Sequence, residues 1–496
     1  MKKLRIITTC FFIIFFFNQT KAIEKTKSIS LSQAIEIAAD SSLASFKVKN
    51  LYLSGYWQYR TFKAERLPSM SMDMTPLSYN QNFIKRYDYT NNIDTYKSQQ
   101  SLNSSANVSV KQNVDLTGGT FSIDTELAYL HNFGVTQFEQ YTSVPVRIGY
   151  SQSLFGFNSF KWEKKIEPVR YEKVKKQLIY NLQEISEQTS EYFFDLALNQ
   201  TIYDLAKQNI ANSDTLYRIG QERYMIGTIS QSDLLTLKLN VINSRNDVGN
   251  AEINLKTSTF TFASYLRYDT QMQFHLELPT VPLDIIILAD DVLKKARENN
   301  PTIPEMKETI LTAQQSLDQT IKQSRFSASL SASVGFNQVA GDFTSAYHQP
   351  LQQDVLSISL SVPIIDWGLN KGKVNMAREN LNTVHITAKQ TEQAFEQEVL
   401  MTVYEYNLRQ SQIRLSEEAK QIAELAYTKT KQLFIIGKTD VNGVYLAISR
   451  QIEAEQNYIT SLKNYWLCYY KIRKLTLYDF VENKTISIDF EKIHGY

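Results

Sequence analysis

The chain has few side chains suited to covalent or metal chemistry, and their spacing argues against both. Its five histidines, His131, His275, His348, His385 and His494, are scattered, and no two fall at the short helical separations of a metal-ligand pair. Of the two cysteines, Cys10 lies in an apolar run near the start, and Cys468 lies in "NYWLCYYK", where it reads as helix packing. No Walker loop, dinucleotide fingerprint or nucleophile elbow is present. Gly118–Gly119 marks a turn in "TGG" and cradles no phosphate. No catalytic, metal-binding or cofactor-binding residue is expected. What recurs is a turn. "RYMIGTISQSDLL" (223–235) has a cousin in "QLFIIGKTDVNGVY" (432–445), and Gly437 follows Gly227 by 210 residues.

The elements around those turns depend on the compartment. Lys2, Lys3 and Arg5, an apolar run from Ile6 to Phe17 and a small residue at Ala22 match a secretory signal over residues 1–22. The run is too short to span ~30 Å of hydrocarbon as a helix, and no lipobox precedes Cys10. Losing Lys2, Lys3, Arg5 and Lys21 takes the net charge from +2 to −2, which argues against a nucleic-acid partner. A single cysteine then remains, so no intrachain disulfide is expected. No later stretch approaches 18 consecutive apolar residues. If the exported chain enters a membrane, strands must cross it. Only 16 Gly and 10 Pro in 496 residues favour long uninterrupted elements, and 43% hydrophobic content supplies a core.

The 210-residue offset reaches well beyond the glycines. "GYSQSLFGFNSFK" (149–161) lies over "SLSVPIIDWGLNK" (359–371), and each is followed by a long helical pattern, the glycine turn and a second helix. "AIEIAADSSL" (34–43) resembles "VLKKARENNP" (292–301) at an offset of 258, so the first copy carries about 48 extra residues. Leu178, Leu182, Ile185, Tyr192, Leu196 and Ile202 recur at three- and four-residue steps, as in helices packed with coiled-coil character. Helices over 160–223 and 371–433 would each reach ~90–100 Å.

Strands precede each long helix. In "RFSASLSASVGF" (325–336) and "VLSISLSVP" (355–363) the apolar chains alternate with serine and glycine, so Leu330, Ile358 and Leu360 share one face and Ser329, Ser357 and Ser359 the other. Such segments suit a membrane barrel or a soluble sandwich, and two adjacent serine-lined strands in an exported chain favour the barrel. "LPSMSMDM" (67–74), "ANVSVKQNVDL" (106–116), "GTFSIDTELAYL" (119–130) and "VPVRIGYSQSL" (144–154) also read as strands, and the Tyr- and Asn-rich 79–105 as a polar surface loop. Asp366, ahead of Trp367 and Gly368, is placed to cap the long second-copy helix. The expected organisation is a signal peptide (1–22), a first repeat (23–270, strands 67–155, helical hairpin 160–268), a linker (271–290), a second repeat (291–479, strands 325–363, helical hairpin 371–478) and a tail (480–496).

In this order, "LSQAIEIAADSS", "ENNPTI", "PIIDWGLNKGKV" and the paired "MIGT" and "IIGK" turns resemble the TolC family of outer-membrane efflux channels over roughly residues 29–479. "TGGTFS" and the enlarged first hairpin look like a Bacteroidetes-type branch. The resemblance implies a mainly α fold with β: three identical chains form an outer-membrane β-barrel continued by a long α-helical periplasmic tunnel. It implies passive conduction for an inner-membrane pump, in tripartite efflux or type I secretion, through a periplasmic adaptor protein. Ile226, Gly227, Thr228, Ile436, Gly437 and Lys438 would then be tunnel tips that dock the adaptor. The family's acid six residues after the first glycine is kept as Asp233. Its usual arginine partner falls on Thr439, with Lys438 beside it, and its second-repeat aspartates fall on Gly443 and Leu446. An Asp233–Lys438 latch, with Asp440 and Asn442 at the constriction, is what the resemblance leaves as a gate. The rival is a non-channel periplasmic adaptor or a filament-like protein with coiled-coil hairpins, although an adaptor usually has one long hairpin and this chain has two.

Overall fold

The computed structural model describes residues 26–133, 137–280 and 286–494, so the export signal expected over 1–22 lies outside the described residues. In chain order the elements are β1 (Thr26–Ser30), α1 (Leu31–Ser41), α2 (Leu43–Ala64), β2 (Ser69–Asp88), β3 (Ile93–Val114), β4 (Gly119–Asn132) and β5 (Phe138–Leu154). Then come α3 (Ser159–Met225), α4 (Gln231–Leu266), β6 (Gln273–Glu277), α5 (Ala289–Asn299), α6 (Thr302–Gln323), β7 (Ser327–Ala340) and β8 (Leu351–Ser361). The chain ends with α7 (Leu369–Ile435), α8 (Val441–Thr476), β9 (Tyr478–Asp479), β10 (Lys484–Thr485) and α9 (Phe490–His494). The duplication is kept in the element bounds. Helices α7 and α8 begin and end 210 positions after α3 and α4, and α5 repeats α1 at 258. Helices α3 and α7 have 67 residues each, and α4 and α8 have 36.

The described residues form two compact units. One gathers residues 26–45, 185–280 and 408–469. It contains the turn ends of both helical hairpins and the parallel pair β1–β6. Its core includes Phe193, Phe194, Phe262 and Phe274, with Phe262 edge-on to Phe274 at 5.2 Å between ring centroids. Strand β6 lies in the stretch read as a linker. Five residues, with only Phe274 and Leu276 alternating inward, leave too little pattern to distinguish it from a loop.

The other unit gathers residues 46–133, 137–184, 286–407 and 470–494, and it holds a six-stranded antiparallel sheet ordered β2-β3-β4-β5-β7-β8. Registers Leu330↔Ile358, Ile148↔Val334, Ile123↔Ile148, Val110↔Ile123 and Met70↔Val110 place these apolar residues on one face. The other face carries Ser329↔Ser359, Ser331↔Ser357, Asp124↔Arg147 and Ser109↔Asp124. Met70 is 74% exposed, and Ile358 and Leu360 are 66% each, so the apolar face is uncovered in a single chain. Residues 79–105, read as a surface loop, are mostly strand. Tyr79–Asp88 pairs with Ile93–Leu102, and only 89–92 turn. Tyr79, Phe83, Tyr87 and Tyr96 share one face of this ribbon, but Gln81, Lys85, Asp94, Ser98 and Gln100 interrupt it, so no clean alternation marked it. It extends the hairpin beyond the rows where β3 pairs with β4.

The starts of the long helices are tied to this sheet and to α6. Asn158 Oδ1 accepts the Lys161 amide at 3.0 Å and its Nδ2 donates to the Asp115 carbonyl at 3.0 Å, which joins the first turn of α3 to the β3–β4 turn. Glu308 on α6 takes Arg170 and Lys173 of α3, each at 2.7 Å, and Trp162 Nε1 donates to Asp318 at 2.8 Å. The "ENNP" motif has a structural task. Buried Asn300 donates to the Leu475 carbonyl at 2.8 Å and accepts from the Thr302 amide at 2.9 Å, while Asn299 donates to the Thr476 carbonyl at 2.9 Å. These bonds fasten the end of α8 to the α5–α6 corner. Asn300→Ala would leave the Leu475 carbonyl short of a donor and is expected to destabilise the chain by about 1–3 kcal/mol. A lowered thermal midpoint by circular dichroism in detergent checks this, and an unchanged midpoint would contradict it.

Candidate functional site

Both hairpin turns are built in the same way. After α3, the Thr228 amide reaches back to the Arg223 carbonyl at 2.8 Å and the Gly227 amide to the Tyr224 carbonyl at 3.0 Å. After α7, Lys438 bonds Leu433 at 2.9 Å and Gly437 bonds Phe434 at 3.0 Å. This is the six-to-one and five-to-two pairing that closes a helix through a left-handed residue, and Gly227 and Gly437 adopt φ of +71° and +78°. A side chain is costly in that conformation, which is why glycine stands at both turns.

The following helices are capped differently. Ser230 and Asp233 form a reciprocal box on α4: the Asp233 amide donates to Ser230 Oγ at 3.1 Å, and Asp233 Oδ2 accepts the Ser230 amide at 3.1 Å and hydroxyl at 2.7 Å. On α8, Asp440 Oδ1 accepts the Gly443 amide at 2.8 Å. Asn442 and Lys438 are exposed beside it. Asp366 lies just ahead of α7, with Oδ1 on the Gly368 amide at 3.0 Å and Oδ2 on the Asn370 amide at 3.2 Å. Those amides, Gly368 first, hold its carboxyl below the usual range.

Sequence reasoning missed the residue that ties the two turns together. Arg223 Nη1 donates to the Phe434 carbonyl at 3.2 Å, and its guanidinium lies over the Phe434 ring at 5.3 Å. Nearby, Lys431 donates to Asn212 Oδ1 at 2.7 Å. Beneath them Leu216, Leu237, Phe434, Val441, Val444 and Ile448 form a buried apolar cluster shared by both hairpins. Arg223 looks like any cation in a last helical turn, and its acceptor is a backbone carbonyl 211 residues away, so nothing local marked it. Met225 (76% exposed), Ile226 (74%) and Ile436 (64%) crown the turns as an uncovered apolar patch. Among the described residues Asp233 and Lys438 form no ion pair within the chain, and no helix is apolar enough to cross a membrane.

Residues 292–467 match the family model described as "Outer membrane efflux protein". No curated protein matches the chain in sequence. Three solved structures that share its fold come from bacteria. A membrane protein from Pseudomonas aeruginosa has a TM-score of 0.65, 12% identity and coverage of 94% of each chain. The Campylobacter jejuni CmeC outer membrane channel has a TM-score of 0.63 and 13% identity, covering 94% of this chain and 88% of that one. The Vibrio cholerae outer membrane protein VceC has a TM-score of 0.60 and 12% identity, covering 91% and 96%.

The Asp233 carboxyl is held below its ordinary range by the Ser230 hydroxyl first and the Ser230 amide second. A depressed carboxyl stabilises the box at neutral pH and loses that contribution as pH falls through its folded value, below about 3.9. A spin label at Ser232→Cys is therefore expected to gain mobility only under such acid conditions. With Asp233→Ala it should be mobile at both pH values, and equal mobility with and without Asp233 would contradict the box. The TolC-family resemblance read from the residues is thus borne out, in sequence over residues 292–467 and in fold over nine-tenths of the chain.

Proposed function

We propose that the chain is the outer-membrane channel of a tripartite efflux or type I secretion system, acting as a homotrimer without enzymatic activity. The observation that carries this reading is the sheet: six antiparallel strands with one uncovered apolar face and one face of serine, aspartate and arginine. Lipid suits the first face and a water-filled lumen the second. Helix α7 points the same way, because Ile386, Tyr404 and Ile422 are 60–67% exposed in a single chain and need neighbouring helices. The trimer's helices would build a periplasmic tunnel. The match to the efflux family and the likeness to outer-membrane channels support this placement. In this reading the "TGGTFS" turn and enlarged hairpin mark a Bacteroidetes-type branch.

The turns then become the tunnel's periplasmic tips. Ile226, Gly227, Thr228, Ile436, Gly437 and Lys438 offer the docking surface for an adaptor that couples the channel to an inner-membrane transporter. Asp233 has a gating role consistent with its geometry. Both Ser230 donors bond Oδ2, which leaves Oδ1 for Lys438 of a neighbouring copy, with Asp440 and Asn442 alongside. The intact chain should remain with carbonate-washed outer membranes and run as a trimer in mild SDS without boiling. Release into the soluble fraction would favour a periplasmic adaptor or filament instead. In planar bilayers Asp233→Ala and Lys438→Ala should each raise single-channel conductance, with little further gain in the double variant. Unchanged conductance in all three would leave the turns as docking surface and place the gate elsewhere.

A further inference from the structure

The first repeat contributes four strands to the sheet and the second only two, which changes how a wall built from copies must close. Among the described residues strand β2 pairs only with β3 and β8 only with β7, so these two form the edges of the sheet. An unpaired edge cannot stand in hydrocarbon. The extra hairpin cannot simply be set aside, because β3 pairs with β4 without interruption from Ser101↔Asn132 to Val114↔Gly119. Its apolar residues also continue the apolar face, with Met70 and Met72 opposite Val110 and Val108, and Val108 opposite Thr125 next to Val110↔Ile123.

Resting on the channel reading above, we propose that β2 of one copy pairs antiparallel with β8 of the next, so that three six-stranded sheets close an eighteen-stranded wall. The directions allow it. First and sixth in a strictly antiparallel sheet run oppositely, so the alternation continues across the seam. The faces allow it in one parity only. Met70, Met72 and Met74 must stand beside Leu356, Ile358 and Leu360, which sets Ser71 and Asp73 beside Ser357 and Ser359 on the inner face.

Strand number fixes the bore. With strands ~4.8 Å apart and tilted by ~40°, eighteen give a backbone radius of roughly 18 Å, against roughly 12 Å for twelve. That is the size class that leaves an aqueous channel. Asp124, which accepts Ser109 Oγ at 2.6 Å and Ser122 Oγ at 3.0 Å with Arg147 at 3.8 Å, would line it once per copy. The β2–β3 ribbon would rise beside each seam.

Paired cysteines in the full chain, oxidised in isolated outer membranes and run with and without reductant, test the seam. Met72→Cys with Leu356→Cys, Ile358→Cys or Leu360→Cys samples the permitted registers, and at least one pair is expected to give reductant-sensitive covalent trimers. Met72→Cys with Ser357→Cys or Ser359→Cys should give none. Trimers from Ile123→Cys with Ile358→Cys, and none from any β2 pair, would show closure through β4, overturning the proposal and leaving the channel intact. No cross-link from any pair, together with loss of the chain from the membrane fraction, would overturn the channel reading itself.

Discussion

Backbone groups that face hydrocarbon must find partners within protein, and in the proposed channel much of the chain's organisation follows from that requirement. A sheet with one apolar face can sit in lipid only if its edges are closed. The chain offers two edges of opposite direction and matching face parity, separated by an even number of strands. The helices carry the same implication in another form. Helix α7 buries few of its 67 residues, and its exposed Ile386, Tyr404 and Ile422 need neighbours that a single chain does not supply. Sheet and helices each leave surface that further copies of the same chain can cover.

Duplication supplies this geometry, and the differences between copies particularise it. The long helices keep their bounds through the 210-residue offset, and both turns keep the same glycine-closed hydrogen bonding. The caps have diverged: Asn158 against Asp366 at the strand-to-helix junctions, and the Ser230–Asp233 box against Asp440 after the turns. Arg223 has Leu433 as its counterpart, so the bond to the Phe434 carbonyl has no equivalent made from the second copy at that position. That asymmetry gives two otherwise equivalent hairpins distinct polar surfaces.

Features repeated in the chain, or patterned at a period of two or three to four residues, were legible in the residues. The serine-apolar alternation of β7 and β8, the glycine turns and the Asp366 cap all depend on neighbours close in sequence. The Tyr- and Asn-rich ribbon escaped because polar residues interrupt its aromatic face within each strand, and only the pairing shows Tyr79, Phe83, Tyr87 and Tyr96 to share that face. Strand β6 escaped through its brevity, and Arg223 because its acceptor is remote in sequence. Asn299 and Asn300 were legible as a motif but not as a clamp, since their acceptors, the Leu475 and Thr476 carbonyls, belong to the other end of the repeat.

The central claim is that one face of this sheet meets lipid and the other water. Site-directed spin labels along β5, β7 and β8 test it most directly, read by their accessibility to lipid-soluble oxygen and to a water-soluble nickel reagent. The account predicts that labels at Ile148, Leu330 and Ile358 are reached by oxygen, and that labels at Ser331, Ser357 and Ser359 are reached by nickel, alternating residue by residue. Equal access of the nickel reagent to both sets would contradict it.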